Sequence, residues 1–202
     1  MARTVFFSFH YQRDITRVQV VKNHYVTKGN YTAAGFFDGS LEEQAKRYGD
    51  SAVKRTIDEG LKGSSVTCVL VGNETFQRKW VHYEIFKSIE LGRGILGIRI
   101  HQISDMRRSR EFGGGVDSAG ANPFECLGYS RTGTQLQPRV HYQSGWRDAP
   151  NLSAISEGSA VYLPRTGSPR LDGIFRVYDW VNDDGFNNFD TWVERAARQA
   201  GK

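Results

Sequence analysis

The chain is poor in the residues and motifs that mark the commonest special sites. It holds two cysteines in 202 residues, and Cys68 and Cys126 have neither CxxC nor metal-type spacing, which argues against a disulfide scaffold or a zinc ribbon. Cys68 lies in an apolar run, where a thiol packs as a small apolar group, and a reducing cytoplasm is the expected location. No apolar stretch approaches the ~20 residues that a membrane-spanning helix needs, so no membrane role is expected. Met1-Ala2-Arg3-Thr4 passes straight into Val5-Phe6-Phe7, which reads as a first strand rather than a secretion signal.

The motifs GxSxG, HExxH and GxxxxGK[ST] are missing, which excludes the serine hydrolase, zinc peptidase and P-loop NTPase readings. His10, His24, His82, His101 and His141 do not pair at ligand spacing, and no metal is expected. Lysine and arginine outnumber aspartate and glutamate by 27 to 22, a formal charge of +5. Such an excess serves solubility or an anionic dinucleotide equally well. The densest basic cluster, Arg107-Arg108-Ser109-Arg110, has no interleaved aromatics to stack bases, so nucleic acid is not an expected partner.

What is present is a hydrophobic fraction of 39% and a charged fraction of 24%, enough for one well-buried core spanning residues 1–202. Thr4 to Phe9 reads as a buried strand, and Asp14 is placed to cap a helix whose Ile15, Val18, Val21 and Tyr25 share a face that Gly29 ends. Ala33 to Asp38 reads as a brief second strand, Leu41 to Gly49 as a short helix capped by Ser40, and Ser51 to Leu61 as a longer helix. Val66 to Val71 is a near-continuous apolar run of the kind a parallel strand shows when both its faces are covered. Beyond Gly72-Asn73 a helix carries Trp80, Ile85, Ile89 and Leu91, and Ile95 to Ile100 is a fourth strand with His101 at its exit.

This alternation predicts an α/β fold, a doubly wound and mostly parallel sheet with helices on both faces. The core is expected over about 1–101, a loop-rich elaboration with one hairpin near Val140 to Trp146 over about 102–173, and a closing strand and helix over about 174–202. Asp190 is the expected cap of a last helix from Thr191 to Gln199.

Ligand sites of such sheets lie at the carboxyl ends of the strands. The residues placed there are Ser8, Phe9 and His10 after the first strand, Asp38 after the second and Asn73 and Thr75 after the third. Trp80 and Glu84 stand one helical turn apart in a single column. The bland alternative is a helix with Trp80 inward and Glu84 pairing with Arg78, Lys79 or Lys87 in solvent.

Four segments in order, Val5 to Tyr11, Ala33 to Asp38, Ser65 to Gly72 and Arg78 to Ile85, together with Asn122-Pro123-Phe124 and Val177 to Gly185, resemble the TIR-like domain of bacterial Thoeris anti-phage defence, on the side of the sensor enzyme. The resemblance covers most of the chain. It implies a flavodoxin-like sheet and an enzyme that cleaves NAD, releases nicotinamide and cyclises the ADP-ribose into a signal that activates a partner effector after a phage-derived trigger. NAD is then substrate, and no cofactor is implied. Carried over by motif, Glu84 is the catalytic glutamate, and Phe9, His10, Tyr11, Asp38, Asn73 and Trp80 are substrate-binding candidates. His10-Tyr11 after the strand and the long region from His101 to Gly173 depart from the better-known TIR pattern. A non-enzymatic TIR module that signals by assembly, and self-association of the active form, stay open as alternatives. A phosphoryl-acceptor reading is weaker, because Asp38 alone lacks the acidic cluster that holds magnesium.

Overall fold

The computed structural model describes residues 3–27, 31–34, 47–105, 115–150, 152–160, 162–165 and 170–202. In chain order these form β1 (Arg3–Ser8), α1 (Tyr11–Thr27), β2 (Tyr31–Ala34), α2 (Asp50–Lys62), β3 (Val66–Val71), α3 (Lys79–Glu90) and β4 (Gly94–Arg99). They continue as α4 (Pro123–Cys126), β5 (Leu127–Thr132), β6 (Gln135–Tyr142), β7 (Gly145–Asp148), β8 (Ile155–Ser156), β9 (Val177–Asp179) and α5 (Gly185–Gln199).

All six residues of β3 are buried, as a strand flanked by two others and covered above and below must be. The principal sheet has the order β2-β1-β3-β4-β9, with every pairing parallel. Alternation along the strands sorts side chains to two faces. Val5, Phe7, Cys68, Leu70, Leu96 and Ile98 pack with Val18 and Val21 of α1 and with Phe189, Trp192 and Val193 of α5. On the other face Phe6 packs with Val53, Ile57 and Leu61 of α2 and with Trp80, while Val69, Val71 and Ile95 meet Val81, Ile85 and Ile89 of α3. The expected doubly wound α/β sheet is therefore present, and β9 gives it a fifth strand.

Three elements differ from the sequence expectation. Helix α1 begins at Tyr11, so Asp14 is inside its first turn, fully buried, and its amide bonds the carbonyl of His10 at 3.0 Å. A carboxylate can serve the inside of a first turn as well as its cap, which is why the sequence pattern does not separate the two. Helix α5 begins at Gly185, and Asp190 lies within it rather than capping it. The turn before α5 is built by other carboxylates: Asp179 Oδ1 accepts from the amides of Val181 and Asn182 at 3.0 and 2.9 Å. Phe189, 1% exposed, anchors the early helix despite the weak helix formers Phe186, Asn187 and Asn188 around it.

The third difference is the region 102–173, which carries the expected hairpin, Tyr142 pairing with Gly145, but within a four-stranded antiparallel sheet. Its central strand β6 alternates, with Leu136, Pro138 and Val140 buried. Proline inside a run demotes it as a strand; here the carbonyl of Pro138 still accepts from Ala149 at 2.9 Å. The sheet packs its apolar face, including Leu127, Leu136 and Val140, into the same cluster as α3. The expected second strand is found at Tyr31–Ala34. The remainder of the Ala33 to Asp38 reading, Gly29, and most of the Leu41 to Gly49 helix lie outside the described residues.

Candidate active site

The chain leaves β3 through Gly72, whose amide donates to the Thr75 hydroxyl at 2.9 Å, and that hydroxyl in turn donates to the carbonyl of Leu70 at 3.3 Å. A single turn over Thr75–Gln77 and extended Arg78 then launch α3. Trp80 and Glu84, one turn apart, both face inward and are 8% and 4% exposed. Ser8, the last residue of β1, is on the Phe6 side of the sheet by alternation, and its Oγ donates a short hydrogen bond to Glu84 Oε2. The backbone at this point is tied separately: Ser88 Oγ donates to the carbonyl of Glu84 at 2.6 Å. That spends the one proton of Ser88, so Thr67 of β3 is the donor in the 2.7 Å contact between the two hydroxyls.

The solvated alternative for Glu84 does not occur. Lys79 pairs with Asp50 at 3.1 Å, Lys87 with Glu90 at 2.9 Å and Arg78 with Glu74 at 2.5 Å. Among the described residues Glu84 has Ser8 as its side-chain partner and no cation within ion-pair distance. Burial consequently dominates its titration and pushes the carboxyl up to about 8, with the Ser8 bond acting in the opposite direction. Desolvation disfavours the charged form, and hydrogen bonds to that form restore part of it.

The other residues expected at this rim are distributed around it. Phe9 lies on the Phe7 side of the sheet, packed against the α1 and α5 core, with its ring 6.3 Å from that of Tyr11. His10 is 7% exposed, its Nδ1 3.9 Å from Glu74 Oε2. The Asn73 amide is turned to Ser118, donating to its Oγ at 2.6 Å and its carbonyl at 3.2 Å, so it locks a loop. Trp80 stands edge-on to Tyr83 with ring centres 6.3 Å apart, and Lys79 Nζ sits 4.5 Å over it. Its indole Nε1 is enclosed without an acceptor among the described residues. Asp38 lies outside the described residues. The structure thus brings Ser8, Trp80 and Glu84 together, with His10 and Asn73 on the adjacent loops.

A set of charges absent from the sequence reading organises those loops. Arg17 is fully buried; its Nε donates to the carbonyl of Ile103 at 2.9 Å and its Nη2 to that of Gly115 at 3.0 Å. Its Nη1 is 3.4 Å from Asp14. Arg13 spans Asp117, at 3.0 and 3.1 Å, and Glu74, at 2.5 Å. Asp14 packs against Gly72 so closely that a Cβ there would sit 2.1 Å from its Oδ2. Burial raises the Asp14 carboxyl to about 6 against the opposing pull of Arg17 and Arg13. Gly120 makes a second close approach, a Cβ there falling 2.2 Å from the carbonyl of Gly72. The helical spacing of Arg13, Asp14 and Arg17 is visible in sequence, but their partners are far along the chain.

On the other side of α3 a cleft of about 260 Å³ is lined by Phe76, His82, Cys126, His141 and Leu152 among others, and the His82 ring is held by the carbonyl of Phe76 at 2.7 Å. Among the described residues no three His, Cys, Asp or Glu side chains gather as a metal site requires, and no helix is long and apolar enough to cross a membrane.

Comparison with known proteins bears on this arrangement. Residues 6–105, from β1 to just past β4, match the family described as Thoeris protein ThsB, TIR-like domain. Over 197 residues, 96% of this chain and all of the relative, the sequence is 46% identical to the Bacillus cereus (strain MSX-D12) protein named "Putative cyclic ADP-D-ribose synthase ThsB1".

Proposed function

The chain belongs to the Thoeris ThsB family of TIR-like proteins, and from that premise we propose that it cleaves the nicotinamide glycosidic bond of NAD and cyclises the ADP-ribose into a cyclic ADP-ribose isomer. The observation that carries the reading is the buried carboxylate of Glu84, held by Ser8 at the carboxyl end of β1 and stacked one turn from Trp80. A relative that is 46% identical along its whole length and carries the name of such a synthase supports it.

The chemistry suits a single carboxylate. Nicotinamide is a cation while bound to the ribose and departs neutral with the bonding electrons, so it needs no general acid, unlike sugar leaving groups that take a second carboxyl. Positive charge then develops at the anomeric carbon. An ionised Glu84 stabilises that charge more strongly in a dry site than in water. Glu84 titrates near 8 with no cation beside it, and an incoming cationic ring favours its charged form. Capture by water would give linear ADP-ribose. Capture by a hydroxyl of the same molecule, with its proton passing to the carboxylate, closes the ring, and burial favours that route by excluding water.

NAD is the substrate and the reaction is drawn without a cofactor. The cyclic nucleotide is the message to an effector of the same system, a phage-derived component is the trigger, and the chemistry belongs in the cytoplasm where NAD is available. In this reading His10 and Trp80 contact the substrate beside Glu84, with Phe9, Tyr11 and Asn73 as further contacts, and Asp38 keeps that role from the family resemblance alone.

The test is nicotinamide release from NAD by wild type and Glu84→Gln, with the nucleotide identified by mass and chromatography. Loss of about 100-fold or more in rate is expected for the variant, together with a cyclic product from wild type that activates the effector after the protein is filtered away. A linear product alone would reject the cyclase, and equal release or equal signalling by the variant would replace the enzyme with an assembly module.

A further inference from the structure

Ser8 is 1% exposed, ends β1, and is held in register with Val69 of β3. Its hydroxyl and the carboxylate of Glu84 are each other's side-chain partners among the described residues. The other carboxylate oxygen, Oε1, makes no hydrogen bond there. Glu84 therefore has one oxygen fixed by the sheet and a second that the described residues leave unengaged.

The main chain of Glu84 does not depend on this contact, because Ser88 and Thr67 hold it from β3. The contribution of Ser8 is thus confined to the carboxylate: where it points and how readily it carries charge. A hydroxyl donates to an ionised carboxylate without rearrangement, and such charge-assisted bonds are the strong ones.

We propose that Ser8 is a positioning residue of this site, aiming Oε1 of Glu84 toward the substrate and holding Glu84 in its ionised form for the reaction. The assignment rests on the proposed function for its place in catalysis, but the pairing itself can be measured without turnover. Because burial raises Glu84 and the Ser8 bond lowers it, removing the hydroxyl moves the carboxyl further up. A hydrogen bond to a charged group corresponds to a shift of about 1–2 pH units. Ser8 is small and sits at a strand end, so alanine fits the space, while threonine keeps the hydroxyl on a residue suited to a strand.

The experiment follows Glu84 directly by difference infrared spectroscopy of the whole protein across pH, with Glu84→Gln identifying its carboxyl band. Ser8→Ala and Ser8→Thr are compared with wild type after each is shown to be folded. The expected result is a titration midpoint raised by about 1–2 units in Ser8→Ala and close to wild type in Ser8→Thr. The acid limb of kcat for nicotinamide release should move by the same amount, with KM changing less. The alanine variant should then recover activity at alkaline pH, which a merely misfolded site would not do. An unmoved midpoint in Ser8→Ala overturns the assignment whatever the turnover. A moved midpoint alongside full turnover in Glu84→Gln overturns the enzymatic reading instead, and removes Ser8 from catalysis with it.

Discussion

Glu84 costs the fold something by being where it is, and the direction of that cost can be worked out. Its folded carboxyl titrates near 8 against an ordinary value of 4.5, so between those limits the folded state binds a proton that the unfolded state has released. Stability then falls as pH rises through that window and levels off above it. Glu84→Gln, which keeps the shape and discards the charge, should therefore be more stable than wild type at pH 7–8 by about 1–3 kcal/mol, or roughly 3–10 °C in melting temperature. The difference should shrink toward zero near pH 4. Melting curves at several pH values check this, and a variant that is destabilised at every pH would contradict it. The expected pairing of lost activity with gained stability is the ordinary mark of a residue kept for function.

At the scale of elements, the site is assembled by loops that side-chain charges pin to helix α1. Arg17 reaches the carbonyls of Ile103 and Gly115 from full burial, and Arg13 reaches Glu74 and Asp117. Arg17→Met keeps much of the length and volume but leaves Asp14 buried without its partner, a situation that costs about 3–5 kcal/mol. Chemical denaturation should show a loss of that order, and hydrogen exchange should quicken first at Asp105, whose amide is bonded to the Gly115 carbonyl that Arg17 also holds. Much of this level is legible in sequence. The apolar run Val66 to Val71, the Trp80 and Glu84 column and the helix that carries it lie where periodicity puts them. What is not legible is partnership: that Ser8 meets Glu84 depends on the β1 and β3 register, and Asn73 is drawn to Ser118 by a loop 45 residues away. The starts of α1 and α5 are misplaced for a related reason. Asp14 and Asp190 read as local caps, while the first turns are set by burial of Asp14 and Phe189.

For the whole molecule, the boundary suggested by family likeness differs from the boundary of the packed structure. The match over residues 6–105 ends before β9, which pairs with β4 from Gly97 and Val177 to Arg99 and Asp179, and before α5, which covers one face with Phe189, Trp192, Val193, Ala196 and Ala197. Burying those side chains contributes on the order of 5 kcal/mol or more, comparable to the ~5–15 kcal/mol net stability of an entire domain. A fragment of residues 1–105 should accordingly lack a cooperative thermal transition by circular dichroism and aggregate; a cooperative transition near that of the full chain would contradict this. Sequence periodicity finds both terminal elements, but the antiparallel sheet between them is hidden by Pro138 and by the many glycines and arginines of that region. Arg3 of the first strand binds Glu194 of the last helix, 191 positions away. On the ribosome the first hundred residues emerge without the pieces that close their core, so the sheet is completed only near the end of synthesis. For a protein whose activity would drain a shared metabolite, that order of assembly means an interrupted translation product carries Glu84 but has no finished site in which to use it.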